Sequence, residues 1–210
     1  MNPIAEEILT FWFGTTDLSA DIEKRDVWFK STPEFDAALT ERFESVHRRA
    51  AAGELDHLME TLEDCVALAI SLDQFPRNIY RGTPRAFEAD PKARTVTRHA
   101  LNRGYHEAVS ARPRQFLILP LVHSEELDDQ HLAVELYATL DDPKSLEGAK
   151  GHRDAIARFG RFPHRNKVLG RASTPEEDEY LRFPPTWGMT KAEAEERERL
   201  IAEMEKAQNG

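Results

Sequence analysis

Residues 61–82 read Thr61-Leu62-Glu63-Asp64-Cys65-Val66-Ala67-Leu68-Ala69-Ile70-Ser71-Leu72-Asp73-Gln74-Phe75-Pro76-Arg77-Asn78-Ile79-Tyr80-Arg81-Gly82. The run from Cys65 to Ile70 is apolar on every side, and a helix of that kind is central and buried. Thr61 to Asp64 has the form of a capping box with Asp in the acidic position, so the helix is expected to begin there and to reach Leu72. It stops at the Phe75-Pro76 step, among side chains that carry charge or hydrogen-bond. Asp73 then falls in the last helical turn, where the macrodipole disfavours an acid by about 0.3–1 kcal/mol at an exposed site. Its charge needs a partner, and Arg77, Asn78 and Arg81 lie just beyond it.

Outward from this helix the chain reads as more helices. Asn2-Pro3, Thr32-Pro33, Thr83-Pro84, Asp90-Pro91 and Ser173-Thr174-Pro175 place a cap before a proline suited to a first turn. Ile4, Ile8, Phe11 and Trp12 recur at helical spacing before Gly14, as do Phe35, Leu39, Phe43 and Val46 before Gly53. Pro113 to Val122 is apolar enough for a strand or a buried helix; with no partner strands elsewhere, a helix is expected, kinked or ended by Pro120. Ser124, Glu125 and Glu126 then suit the start of another, and a further helix is expected over 145–159, before Gly160. The expected class is all-α, with no solenoid period and without the residue signature of a regular tetratricopeptide repeat, so stacked helix pairs must be irregular. Residues 1–188 read as one domain, and 189–210, rich in Glu, Lys, Arg and Ala, as a charged helical tail, solvated, loosely held or paired with another chain.

The chain has 210 residues, with Lys+Arg 28 against Asp+Glu 38 and a net charge of -10. A general attraction to nucleic acid or to anionic membrane is therefore disfavoured. Cys65, the single cysteine, has no disulfide partner and supports no thiol-based zinc site. The N-terminus lacks the pattern of a signal peptide and no stretch is long enough to span a bilayer, so a cytoplasmic location is expected. No nucleophile elbow, phosphate loop or dinucleotide fingerprint occurs, and no cofactor is expected.

Three polar passages follow apolar helices. The first is Asp73-Gln74-Phe75-Pro76-Arg77-Asn78, continuing to Arg81. The second is His123-Ser124-Glu125-Glu126; if the helix continued through it, His123, Glu126 and Gln130 would share a face, giving an imidazole and a carboxylate suited to acid-base work or to a metal. The third is Arg161-Phe162-Pro163-His164-Arg165-Asn166, which echoes the first. His152 lies on the face of Leu146, Ala149, Ile156 and Phe159, where an apolar residue is expected. From Gly151 to Arg171 five Arg and one Lys stand against one Asp, a net of +5, while the remaining chain sums to -15. Either this segment pairs with acidic helix ends, or it receives an anion; the planar fork of arginine suits both.

Leu72 to Phe87, Leu119-Pro120-Leu121-Val122-His123-Ser124-Glu125 and Arg158 to Asn166 together resemble the bacterial family called domain of unknown function 924. Ile8 to Gly14 and Leu169 to Glu177 resemble it as well. The resemblance implies an all-α fold similar to tetratricopeptide-repeat superhelices, and it brings no established activity.

The leading expectation is a pocket for a small anionic ligand, a carboxylate or phosphate, where the turns after Leu72, Val122 and Phe159 meet. Asp73, Gln74, Arg77, Asn78, Arg81, Arg161, Arg165 and Asn166 would bind the ligand, and His123, Glu126, His152 and His164 would transfer protons in an enzyme. One rival is a superhelical scaffold with a peptide partner in its groove. A second is a metal site built from His123, Glu126, His152 or His164. In a third, all three passages are structural.

Overall fold

The structure is a computed structural model that describes residues 1–208; Asn209 and Gly210, the end of the expected tail, lie outside the described residues. Its helices are α1 (Pro3–Phe13), α2 (Pro33–Ala51), α3 (Leu62–Asp73), α4 (Phe75–Ile79), α5 (Asp90–Asn102), α6 (Ala111–Val122), α7 (Leu127–Tyr137), α8 (Pro143–Phe159), α9 (Pro175–Tyr180) and α10 (Lys191–Gln208). Short 3-10 turns join several of them, and no strand occurs among the described residues. The class is all-α.

Every residue of α3 from Asp64 to Asp73 is buried. The all-round apolar pattern requires this, and α1, α2, α4, α5 and α6 all pack against α3. Farther along, α6 packs on α7 and α7 on α8, each helix on the next. The aromatic centre is Trp12, whose ring lies 5.8 Å from Phe75 and 5.5 Å from Phe116. The Trp28 indole N–H donates to the Trp12 carbonyl at 3.0 Å, fastening the loop after α1 to this core. Gly14 ends α1 in the left-handed region (φ 78°), which glycine adopts without a side-chain penalty.

Several local expectations are revised by tertiary contacts. Thr61 makes no capping hydrogen bond. The Asp64 carboxylate instead accepts from the Asn2 backbone N–H at 2.8 Å and ties the start of α1 to α3. Thr83-Pro84 opens only a single 3-10 turn, Pro84–Ala86. Pro120 does not end α6, which runs two residues farther to Val122. The open carbonyls at and just past the end of α6 find a donor in Gln130, whose side-chain amide reaches the Val122 and Ser124 oxygens at 2.7 and 2.6 Å. The next helix begins at Leu127 rather than Ser124. The Ser124 hydroxyl accepts from Glu126 N–H and donates to buried Asp129 at 2.7 Å, holding the turn open. By contrast, Thr174 and Glu177 form a reciprocal capping box at the start of α9.

The segment after Leu181 returns across the molecule. Arg81 donates to the Gly188 carbonyl at 2.6 Å, and Lys191 N–H to the Ser31 carbonyl at 3.3 Å. Ala194 is buried, so the first turns of α10 touch the body of the protein.

Phe116→Ala removes a fully buried ring and should cost about 3–5 kcal/mol in urea unfolding, whereas Phe183→Ala, at an exposed ring, should stay within about 0.5 kcal/mol.

Candidate functional site

The turns that end α3, α6 and α8 meet. At the end of α3 the Asp73 carboxylate is 1% exposed. It accepts from the Gln74 amide at 2.6 Å and lies 3.2 Å from Arg77 Nη1. His123, the residue that caps α6, presents Nδ1 to both Asp73 oxygens at 2.8 and 3.0 Å. The third turn joins through Arg165, which donates from Nη2 to the His123 carbonyl at 3.1 Å. A second bridge runs from the Phe162 N–H to Glu125 Oε1 at 2.7 Å.

Asp90, at the start of α5, ties two of these turns together. Its carboxylate receives Arg77 at 3.0 Å and Arg165 at 3.3 Å. The Arg165 guanidinium also lies 4.5 Å from the Phe87 ring centre and 4.6 Å from that of Phe162, so stacking as well as charge fixes its plane.

Burial opposes ionisation of Asp73, but Arg77 and the hydrogen bonds from His123 and Gln74 outweigh it and hold its pKa below the ordinary carboxylate range. Burial lowers the pKa of His123, Arg77 lowers it further, and the pull of Asp73 does not restore it. The pair is therefore a carboxylate and a neutral imidazole. With Nδ1 donating to Asp73, the His123 Nε2 carries the lone pair.

Two more neutral imidazoles stand beside it. The His152 ring centre is 6.0 Å from that of His123, and its Nδ1–H donates to the Gly148 carbonyl at 2.8 Å. Burial, then the neighbouring His123, push its pKa well below the ordinary value. His164 is driven down to about 3, first by burial and then by Arg165. Its Nδ1 is buried without a hydrogen-bond partner, as is Nε of Arg165. Trp187 closes this side, stacked on His152 at 3.6 Å between ring centres and edge-on to His164 at 5.5 Å. Gly151 makes room for it, since a Cβ there would sit 3.3 Å from the indole.

The residues singled out in the sequence thus divide. Asp73, Gln74, Arg77, His123, His152, His164 and Arg165 converge. Asn78 and Arg81 turn toward α2, donating to Asp36 at 2.7 and 3.3 Å. Glu126 is exposed at the cap of α7, because the break after α6 moves it off the His123 face. Arg161 forms a two-pronged pair with Glu177, at 2.6 and 2.7 Å. Asn166 donates to Ser173 and Glu177 and accepts from Arg171. All five arginines of the basic segment have acidic partners: Arg153 with Asp154, Arg158 with Glu176, Arg161 with Glu177, Arg165 with Asp90 and Arg171 with Glu125. That pairing accounts for the charge segregation. Asp90 and Trp187 were missed: the first read only as a helix start, while the second gave a signal, a tryptophan in a Pro-rich stretch without helical spacing. Among the described residues no group of three or more His, Cys, Asp or Glu side chains is arranged to hold a metal ion.

An all-α scaffold with a buried Asp–His–Arg cluster at three helix ends is the class these features define. The chain belongs to the family described as bacterial protein of unknown function (DUF924), whose model matches residues 8–184. Trp187 and α10 lie beyond that match. A solved structure, that of the protein of unknown function ATU0120 from Agrobacterium tumefaciens, is 41% identical with a TM-score of 0.78; the likeness covers 85% of this chain and 96% of that one. No curated protein matches the chain. No helix of the described residues is long and apolar enough to cross a membrane.

Arg161→Ala leaves the Glu177 carboxylate without its two-pronged partner and should lower the urea unfolding midpoint, whereas Arg158→Ala, at the exposed pair with Glu176, should leave it almost unchanged. The three imidazoles also set a pH dependence. Their folded pKa values lie below that of an unfolded histidine, about 6.5. Their neutral burial is thus fully tolerated above that pH, and stability falls as the pH drops from there toward about 3 for His164. Each ring contributes up to about 1.4 kcal/mol per pH unit in that window. Unfolding midpoints measured across the window should fall less steeply for His164→Asn than for the parent protein.

Proposed function

We propose that the meeting point of the three turns binds a small acid, a carboxylate or phosphate, together with a proton, and that His123 is the proton acceptor. The observation that carries this reading is the Asp73–His123 contact, which orients the ring and leaves Nε2 as a base. A buried carboxylate that fixes the tautomer of an imidazole is the arrangement general-base catalysis uses. The charges nearby are balanced: Arg77, Arg165 and Arg171 face Asp73, Asp90 and Glu125. An incoming anion therefore adds one uncompensated negative charge, and neutral imidazoles are the groups that take up a proton to meet it. The unpartnered Nδ1 of His164 and Nε of Arg165 are further groups for the ligand to satisfy. In this reading Trp187 is a removable cover over His152 and His164.

Acetate and inorganic phosphate are the probes, followed by calorimetry in buffers of different ionisation heat and by histidine NMR. Binding should carry an uptake of about one proton, tighten as the pH falls below about 6.5, and weaken about tenfold or more in His123→Asn. Trp187→Ala should tighten it, or speed exchange at the His152 and His164 signals. Saturable binding that takes up no proton and survives His123→Asn would refute the role of His123. If neither probe moves the His123, His152 or His164 signals, the small-acid reading falls.

A further inference from the structure

A separate cavity of about 350 Å³ opens between α2 and the chain from Tyr80 to Lys92, lined in part by His47, Arg48, Tyr80, Arg85, Glu88 and Lys92. None of these was singled out as a ligand group in the sequence, and none belongs to the three-turn cluster. We propose that this cavity is a second binding site, taking a phosphate group in its singly protonated form, as inorganic phosphate or a phosphate monoester.

The arginines carry the first part of the argument. Whereas the five arginines of the 151–171 segment are all paired, the guanidinium groups of Arg48 and Arg85 form no ion pair and no hydrogen bond among the described residues, and both residues line this cavity. Arg85 is held in place by Tyr80, its guanidinium 3.8 Å from the ring centre, which leaves the N–H edge free for an oxyanion. Tyr80 is itself anchored by donating to Glu44 at 3.2 Å. Lys92 adds positive potential but is already held by Asp56 at 2.7 Å. Glu88 is the single acid in the lining, against three cations.

The second part is His47, which is 4% exposed and lines the same cavity. Its Nδ1–H donates to the Ser71 carbonyl at 2.9 Å, so in the neutral ring Nε2 is an acceptor, and it has no partner among the described residues. Burial, then Arg85, lower its pKa, against the opposite pull of Ser71, Glu44 and Glu88. An acceptor nitrogen without a partner, on a ring at the cavity wall beside two guanidinium groups that also lack one, fits a ligand that offers acceptor oxygens and one hydrogen-bond donor. A phosphate with one remaining proton offers both, since its last proton leaves near pH 6–7, about 6 for a monoester. Sulfate has the same shape and no proton, and serves as the control.

The test is an NMR titration of the histidine ring signals with inorganic phosphate and, separately, with sulfate, at fixed ionic strength and about pH 6.5. Phosphate should shift the His47 signal saturably and more tightly than sulfate does. Arg85→Ala and Arg48→Ala, both at exposed side chains, should each weaken that shift by about tenfold, while His123→Asn leaves it unchanged. The proposal is overturned if His47 shows no saturable shift, if sulfate matches phosphate, or if the two arginine variants respond like the parent. Phosphate that moves His123 and His164 but not His47 would also overturn it while leaving the three-turn site intact.

Discussion

The constraint on which the molecule depends is the burial of the Asp73 carboxylate at the end of α3. A helix apolar on all sides must sit at the centre of the fold, and its last residue then carries a charge into the interior. An ionised group there is tolerable only when it is paired and its oxygens hydrogen-bonded. Gln74, Arg77 and His123 meet that demand, and each belongs to an element that must therefore arrive at this point. The end of α6 is located by the charge of α3 as much as by apolar packing, and the turn after α8 joins it through Arg165, which pairs with Asp90 and donates to the His123 carbonyl. The cluster is a structural clamp whatever else it does.

The same logic runs through the C-terminal half. An acidic protein carries a basic stretch from the second half of α8 to the turn before α9, and its arginines reach acids on α5, on α9 and in the turn after α6. These pairs do not behave alike. Arg158 with Glu176 is exposed and worth little, while Arg161 with Glu177 engages a nearly buried carboxylate that also completes the cap of α9. Fork-shaped pairing fixes the position and orientation of the turn after α8 more closely than an apolar contact would.

What distinguishes the cluster from a plain ion-pair network is its imidazoles. Three histidines are held neutral in a neighbourhood of arginines, one with its free nitrogen turned away from a carboxylate, another with a buried nitrogen that nothing satisfies. Purely structural clamps do not need such groups, and an apolar side chain would fill the position of His152 at less cost. Trp187 lies against His152 and His164 from a segment outside the matched family region. The edge of the cluster is thus contributed by a part of the chain that the family pattern does not include.

Much of this was legible in the residues themselves. The apolar run from Cys65 to Ile70 determined that α3 is central, and cap-proline pairs marked the starts of α1, α2, α5 and α9, because these signals act over a turn or two of local backbone. The three polar passages were recognisable as helix ends, and Asp73 as a charge in need of a partner. Which partner it takes was not legible. Arg77, four residues on, clamps Asp73 while Arg81, eight residues on, leaves for Asp36 on α2, and His123, fifty residues away in the chain, supplies the contact that spacing does not announce. Glu126 looked like a companion of His123 because the helix was imagined as continuous; the Ser124–Asp129 contact breaks it. Sequence alone determined the helical class, the central helix and the residues that carry charge to its end. Tertiary structure alone decided which of them meet, because ion pairs and stacked rings between distant segments depend on distances that spacing along the chain does not encode.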